Sequence, residues 1–145
     1  MIYTGNYEQC KRGNLISISG DKGRCIGFIG KTIPELAPKK EFWRIWKDNI
    51  GKISEEENTM FYIKHYYDEV LSQVDIMELL KGEENPILLC YERGQTFCHR
   101  HVLAEYIEIM YRITVQDIKV DSNGRMTINE RPPYIRKMLL RAMFK

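Results

Sequence analysis

The chain has 145 residues, of which 43% are apolar and 29% charged, with a formal net charge of +2. A domain of that size buries most of its apolar surface without disulfides or metal staples. The near-balance of charge excludes a dedicated polycation, and no run approaches the roughly 20 apolar residues of a membrane span.

The opening segment, Met1 to Tyr7, has neither the basic start nor the apolar stretch of a signal peptide, so a cytoplasmic protein is expected. Ile2-Tyr3-Thr4 is a short β-prone run, and Leu15-Ile16-Ser17-Ile18-Ser19 alternates apolar with small polar residues; both predict strands. Gly20-Asp21-Lys22-Gly23 follows as a turn. Ile33 to Pro38 is a proline-punctuated approach to a helix over Lys39 to Asn49, in which Phe42, Ile45 and Trp46 recur at helical spacing and Gly51 ends the run. Ser54 with Glu57 has the form of a capping box. A longer helix is expected after it, with Phe61, Tyr62, Tyr66, Val70, Leu71 and Val74 as core positions and a break near Asp75 before a shorter helix from Ile76 to Leu80.

Gly82 to Pro86 reads as a turn into a buried strand at Ile87-Leu88-Leu89. A helix is expected over Val102 to Met110, a strand over Val115 to Val120, a turn at Asp121 to Gly124, and a last helix opened by Pro132-Pro133 and ending near Phe144. Strands alternating with helices predict a single α/β domain over 1–145: three layers, with a mostly parallel sheet flanked by helices. Between Arg125 and Lys145 stand six basic residues against one acid, Glu130, so 130–145 is a basic helical tail. It reads first as a solvated face and second as a point of contact for nucleic acid.

The most informative stretch runs from Cys90 to Arg100. Cys90 and Glu92 sit two apart on a strand and project to one side, while Cys98, His99 and Arg100 fall in the first turn of the next helix. In open α/β sheets ligands settle at the carboxyl ends of strands, where helix N–H groups attract anions. The helix start and a neighbouring arginine both favour a thiolate over a thiol. Cys98 is therefore a candidate nucleophile, with Cys90 able to fill the same role, His99 or Glu92 handling protons, and Arg100 holding an anionic group. Thr96, not arginine, stands six positions after Cys90, which argues against a phosphatase loop. Cys90, Cys98, His99 and Glu92 also form a set of metal donors, but without paired C-x-x-C spacing no metal is assigned. A packed junction is the plain alternative, with cysteines in the core and Glu92 paired to Arg100. With no secretory signal, Cys10, Cys25, Cys90 and Cys98 are all taken as thiols. His65 and His101 carry no site assignment.

Leu88-Leu89-Cys90-Tyr91-Glu92 followed by Cys98-His99-Arg100-His101-Val102-Leu103-Ala104 resembles the C-x-E…C-H-R signature of the domain-of-unknown-function family 488. Ile2-Tyr3-Thr4, Ser17-Ile18-Ser19, Leu36-Ala37-Pro38 with Trp46-Lys47, and Tyr62 with Tyr66 before Val70-Leu71 are similar to its other landmarks. The resemblance implies a small cytosolic α/β domain whose site includes Cys90, Glu92, Cys98, His99 and Arg100, with Thr4 and Ser19 contributing from neighbouring strands. It names no substrate or cofactor. The leading expectation is a pocket for a small anionic ligand of nucleotide or nucleobase kind, with thiol-assisted transfer or hydrolysis. A non-catalytic module gripping nucleic acid or protein through the tail and Trp46, Tyr62, Tyr66 and Tyr67 comes second. A structural metal protein is third.

Overall fold

The computed structural model describes residues 1–92 and 96–144. Six strands, β1 (Ile2–Asn6), β2 (Asn14–Ser17), β3 (Lys31–Thr32), β4 (Pro86–Cys90), β5 (Val115–Val120) and β6 (Met126–Asn129), form one sheet in the order β3-β2-β4-β1-β5-β6. Neighbours run parallel except β6, which turns back against β5. Five helices flank the sheet: α1 (Lys40–Asn49), α2 (Glu55–Glu69), α3 (Ile76–Leu79), α4 (His99–Tyr111) and α5 (Tyr134–Met143). The expected single α/β domain with a mostly parallel sheet is what the chain forms.

The period-two pattern of the strands divides the core. Ile2, Ile16, Leu88 and Val115 pack with Phe42, Tyr66, Leu103 and Leu139 of the helices. Ile87, Leu89, Ile118 and Val120 point the other way, where Tyr7, Cys10 and Phe28 cover them. That second face is thus closed by chain segments flanking β2 rather than by an α-helix. Gly5 permits the close approach: a Cβ there would stand 2.4 Å from the Cys10 sulfur and 3.0 Å from the Ile118 carbonyl oxygen.

Local signals explain most element ends. The Ser54 hydroxyl accepts a hydrogen bond from the Glu57 N–H and starts α2, and the Asp75 carboxylate does the same for α3 through the Met77 N–H. Gly51, after α1, takes a φ of 82°, which favours glycine. Two strands escape the sequence pattern. β3 has only two residues, and β6 carries Ile128 at 62% exposure on an edge. In α1, Ile45 lies at 49% exposure rather than in the core, because Phe42 and Trp46 alone face α2.

Candidate functional site

The chain leaves β2 toward β3 and leaves β4 toward β5, on opposite sides of the sheet order. The carboxyl ends of these two neighbours therefore bound a crevice, the position at which open α/β sheets bind ligands. A cleft of about 810 Å³ opens there. Its floor comes from the end of β4, the segment just after it and the start of α4: Cys90, Glu92, Cys98 and His99. Its rim includes Ser19, Asp21 and Cys25 from the segment after β2, and Lys40 and Lys47 from α1.

One wall is aromatic. Tyr62 meets Trp46 and Phe97 edge-on, with ring centroids 5.2 and 5.0 Å apart, and Trp46 stands 6.1 Å from Phe97. Trp43 lies nearby with the Lys47 ammonium 5.1 Å from its ring centroid. Across the cleft, Tyr91 donates its hydroxyl hydrogen bond to Asp21 and packs against Tyr7. Tyr7 in turn shares hydrogen bonds of 2.5 Å with Ser17 and Ser19, and Ser19 donates to Asp21. Partial burial pushes the Asp21 carboxyl upward, but the bonds from Tyr91, Gly23, Cys25 and Ser19 prevail and hold it below the ordinary carboxylate range.

The floor residues are fixed more tightly. Cys90 projects with Leu88 toward the helical face, and Cys98 caps α4 in extended conformation. The two sulfurs are bonded, at 2.11 Å, so the expectation that all four cysteines are thiols is corrected for this pair: the strand end and the helix cap bring their side chains together across the loop. Cys10 and Cys25 are free. His99 places its Nε2 2.8 Å from the Ile18 carbonyl oxygen and its Nδ1 3.8 Å from the Cys98 sulfur. A carbonyl only accepts, so Nε2 carries the proton and Nδ1 keeps its lone pair. Burial, with the Arg100 charge beside it, pushes the imidazole pKa down to about 4 against the pull of the Ile18 bond, which keeps the ring neutral. Glu92 Oε2 lies 3.9 Å from the Cys90 sulfur.

Two residues expected to touch a ligand stand below the floor. Arg100 is 0% exposed and is absorbed by Asp117: its Nε donates to Oδ1 at 2.9 Å and its Nη2 to Oδ2 at 3.5 Å. Its Nη1 donates to the Glu92 carbonyl and lies 3.2 Å from the Cys90 sulfur. Thr4, opposite Asp117 in the β1–β5 register, gives its hydroxyl proton to the same carboxylate at 2.7 Å. The pairing of Arg100 with a side chain of Glu92 is thus replaced by pairing with Asp117. Asp117, Lys40 and Phe97 carried no signal in the linear sequence, and Asp21 and Lys47 read only as a turn residue and part of a family landmark, because only the fold gathers them. Gly94, expected to turn the loop, lies outside the described residues.

The other chemistry-bearing residues are structural. His101 is fully buried, and His65 pairs with Glu69 at 2.5 Å one turn along α2. Tyr62 and Tyr66 are 3% and 0% exposed, so they belong to the core and offer no stacking surface for a nucleic-acid strand. In the tail, Arg131 and Arg136 each form ion pairs with Glu105 and Glu108 of α4, at 2.8 to 3.0 Å. That part of the basic patch is neutralised against the domain.

The class shown is a mostly parallel α/β domain with cysteine, carboxylate and histidine side chains at the crevice between β2 and β4. A family model matches residues 19–110, well over half the chain, and its description is DUF488-N3a, the active DUF488-N3 subclade. The chain belongs to this family. No curated protein and no solved structure matches it. Among the described residues, no helix is long and apolar enough to cross a membrane.

Proposed function

We propose that the cleft binds a small anionic ligand with a planar ring, of the nucleotide or nucleobase class, and that its floor performs a thiol-assisted transfer or hydrolysis. The observation that carries this reading is the meeting of Cys90, Glu92, Cys98 and His99 on the floor of one aromatic-walled cleft. Rings beside a base supply stacking, and Glu92 accepts hydrogen bonds from amino or hydroxyl groups. With Arg100 sealed beneath the floor, the anionic group is met by Lys40 and Lys47 at the rim and by the N-terminus of α4.

The thiol chemistry belongs to the reduced pair. The start of α4 favours a thiolate at Cys98, and the Arg100 guanidinium favours one at Cys90. His99 Nδ1 accepts a hydrogen bond from the Cys98 thiol, and Glu92, with Oε2 3.9 Å from the Cys90 sulfur, is placed to carry the proton there. A thiolate displaces the leaving group, Glu92 returns the proton to that group, and water or a second acceptor releases the product from sulfur. The description of the matched subclade as active supports a reacting site over a degenerate one.

The test uses the reduced full chain with a panel of nucleobases, nucleosides and nucleotides. Binding is measured by calorimetry and conversion by mass spectrometry. Glu92→Gln and Cys98→Ser should each lower conversion by about 10²-fold or more with little change in affinity, as expected for loss of a proton carrier or nucleophile. Absence of binding across the panel would remove the ligand reading, and equal turnover in both variants would remove the catalytic one.

A further inference from the structure

We propose that Cys90, Cys98 and His99, once the cysteine pair is reduced, form a zinc-type divalent-cation site with two sulfur ligands, one imidazole ligand and a fourth position open to the cleft. The ligand atoms of the three residues all lie within 4.8 Å of one another. Tetrahedral zinc, with bonds of about 2.3 Å to sulfur and about 2.0 Å to nitrogen, sets sulfur and nitrogen roughly 3.5 Å apart. The Cys98 sulfur and His99 Nδ1 already stand 3.8 Å apart. The two sulfurs need to separate to roughly 3.8 Å for the same geometry. Their Cα atoms are 7.5 Å apart, wider than the roughly 4.4–6.8 Å usual in a disulfide, and that spacing leaves room for an ion between the side chains.

The surroundings match what such a site requires. A metal-bound histidine ordinarily donates its other ring N–H to a carbonyl or carboxylate, which fixes the tautomer and aims the lone pair. The bond from His99 Nε2 to the Ile18 oxygen does this and leaves Nδ1 facing the sulfurs. The Arg100 Nη1, 3.2 Å from the Cys90 sulfur, supplies an N–H···S bond to a bound thiolate, while Asp117 balances its charge. Two thiolates and a neutral imidazole exactly cancel a dication, so no charge is left uncompensated in this buried setting. Glu92, with Oε2 3.9 Å from the Cys90 sulfur, borders the fourth position and can accept a proton from a water there.

The chemistry balances with a dithiol as reductant. Two electrons and two protons pass from the dithiol to the Cys90–Cys98 bond, giving two thiols and the cyclic disulfide of the reductant. Binding of the dication then releases the two thiol protons to solvent. The inference shares its floor residues with the ligand reading but needs no organic ligand.

The experiment is a titration of the dithiol-reduced full chain with Co²⁺ and then Zn²⁺ under anaerobic conditions. The expected result is one Co²⁺ per chain with tetrahedral visible bands and thiolate-to-cobalt charge transfer, displaced by one equivalent of Zn²⁺. Cys90→Ser and Cys98→Ser should each remove about half of the charge-transfer intensity, and His99→Ala should weaken binding more than tenfold. Cys25→Ala should change neither. Because a floor variant can fail to fold, alkylation of the wild-type chain gives a second readout: Zn²⁺ should shield Cys90 and Cys98 but leave Cys25 reactive. No stoichiometric Co²⁺, a spectrum without thiolate bands, or alkylation unaffected by Zn²⁺ would overturn the site. Ligand binding and turnover are not read in this titration, so its failure leaves the ligand reading standing, and the reverse also holds.

Discussion

Asp117→Asn tests the ion pair beneath the floor. The carboxylate is buried and accepts from Arg100 Nε at 2.9 Å, Arg100 Nη2 at 3.5 Å, Thr4 Oγ1 at 2.7 Å and Asn129 Nδ2 at 3.2 Å. An amide keeps the shape but turns one acceptor into a donor, and leaves a guanidinium that is 0% exposed without its counter-charge. Breaking a buried pair from one side costs about 3–5 kcal/mol. For a domain of this length the total stability is roughly 7–20 kcal/mol, so the loss is a large fraction of it. At about 2–4 °C per kcal/mol, the melting temperature should fall by roughly 6–20 °C. Urea denaturation followed by Trp43 and Trp46 fluorescence should show a lowered midpoint with unchanged slope. The double variant Arg100→Met/Asp117→Leu should lose less than Asp117→Asn alone, since it removes both charges together. A loss below about 1 kcal/mol in the single variant, or a double variant no better than the sum of the singles, would refute the reasoning.

Three further outcomes follow from other parts of the molecule. Burial, with the Asp117 charge nearby, pushes the Cys10 thiol up to about 11, so iodoacetamide at pH 8 should label Cys25 promptly and Cys10 hardly at all by peptide mass spectrometry. The raised pKa stabilises the fold below the unfolded thiol pKa near 9, and about 3 kcal/mol should be lost as pH rises from there through 11; Cys10→Ala should show a flatter decline. Tyr66→Phe removes the 2.6 Å bond to the Leu36 carbonyl and leaves that oxygen without its buried donor, which should cost about 1–3 kcal/mol in the same urea assay. Glu105→Ala/Glu108→Ala removes both carboxylates that Arg131 and Arg136 pair with and should lower hydrogen-exchange protection across α5 while sparing β4; unchanged protection in α5 would contradict its anchoring by these pairs.

The order of elements and the place of the site were legible because both rest on short-range signals. Alternating and helical periodicities located β1, β2, β4, β5 and all five helices, and the run from Cys90 to Arg100 marked a strand-to-helix junction. The partners of those residues were not legible. Arg100 meets Asp117, seventeen residues on and in another strand, and nothing between them in the sequence links the two. The same holds for Thr4, which lies 113 residues from its acceptor. Asp21 reads as an ordinary turn residue, and Lys40 and Lys47 stand on a helix marked only by its aromatic stripe; the crevice between β2 and β4 brings them to one space. The Cys90–Cys98 bond escaped for a different reason. The expectation of thiols rested on redox compartment, whereas the bond depends on where a strand end and a helix cap meet.

On the proposed reading, the burial of Arg100 changes how the cleft would hold a ligand. An arginine directed into the cleft would offer a fixed fork to an anion; here that fork is spent on Asp117, the Glu92 carbonyl and the Cys90 sulfur, so it shapes the floor instead of gripping a ligand. Among the described residues, positive charge reaches the cleft from Lys40, Lys47 and the helix start, groups that attract an anion without dictating its geometry. Selectivity would then fall to the rings of Trp43, Trp46 and Phe97 and to the carboxylate of Glu92, which would read the shape and donors of the uncharged part. A ligand stripped of its anionic group should therefore bind more weakly but keep its rank among analogues, while one with an altered ring should lose rank.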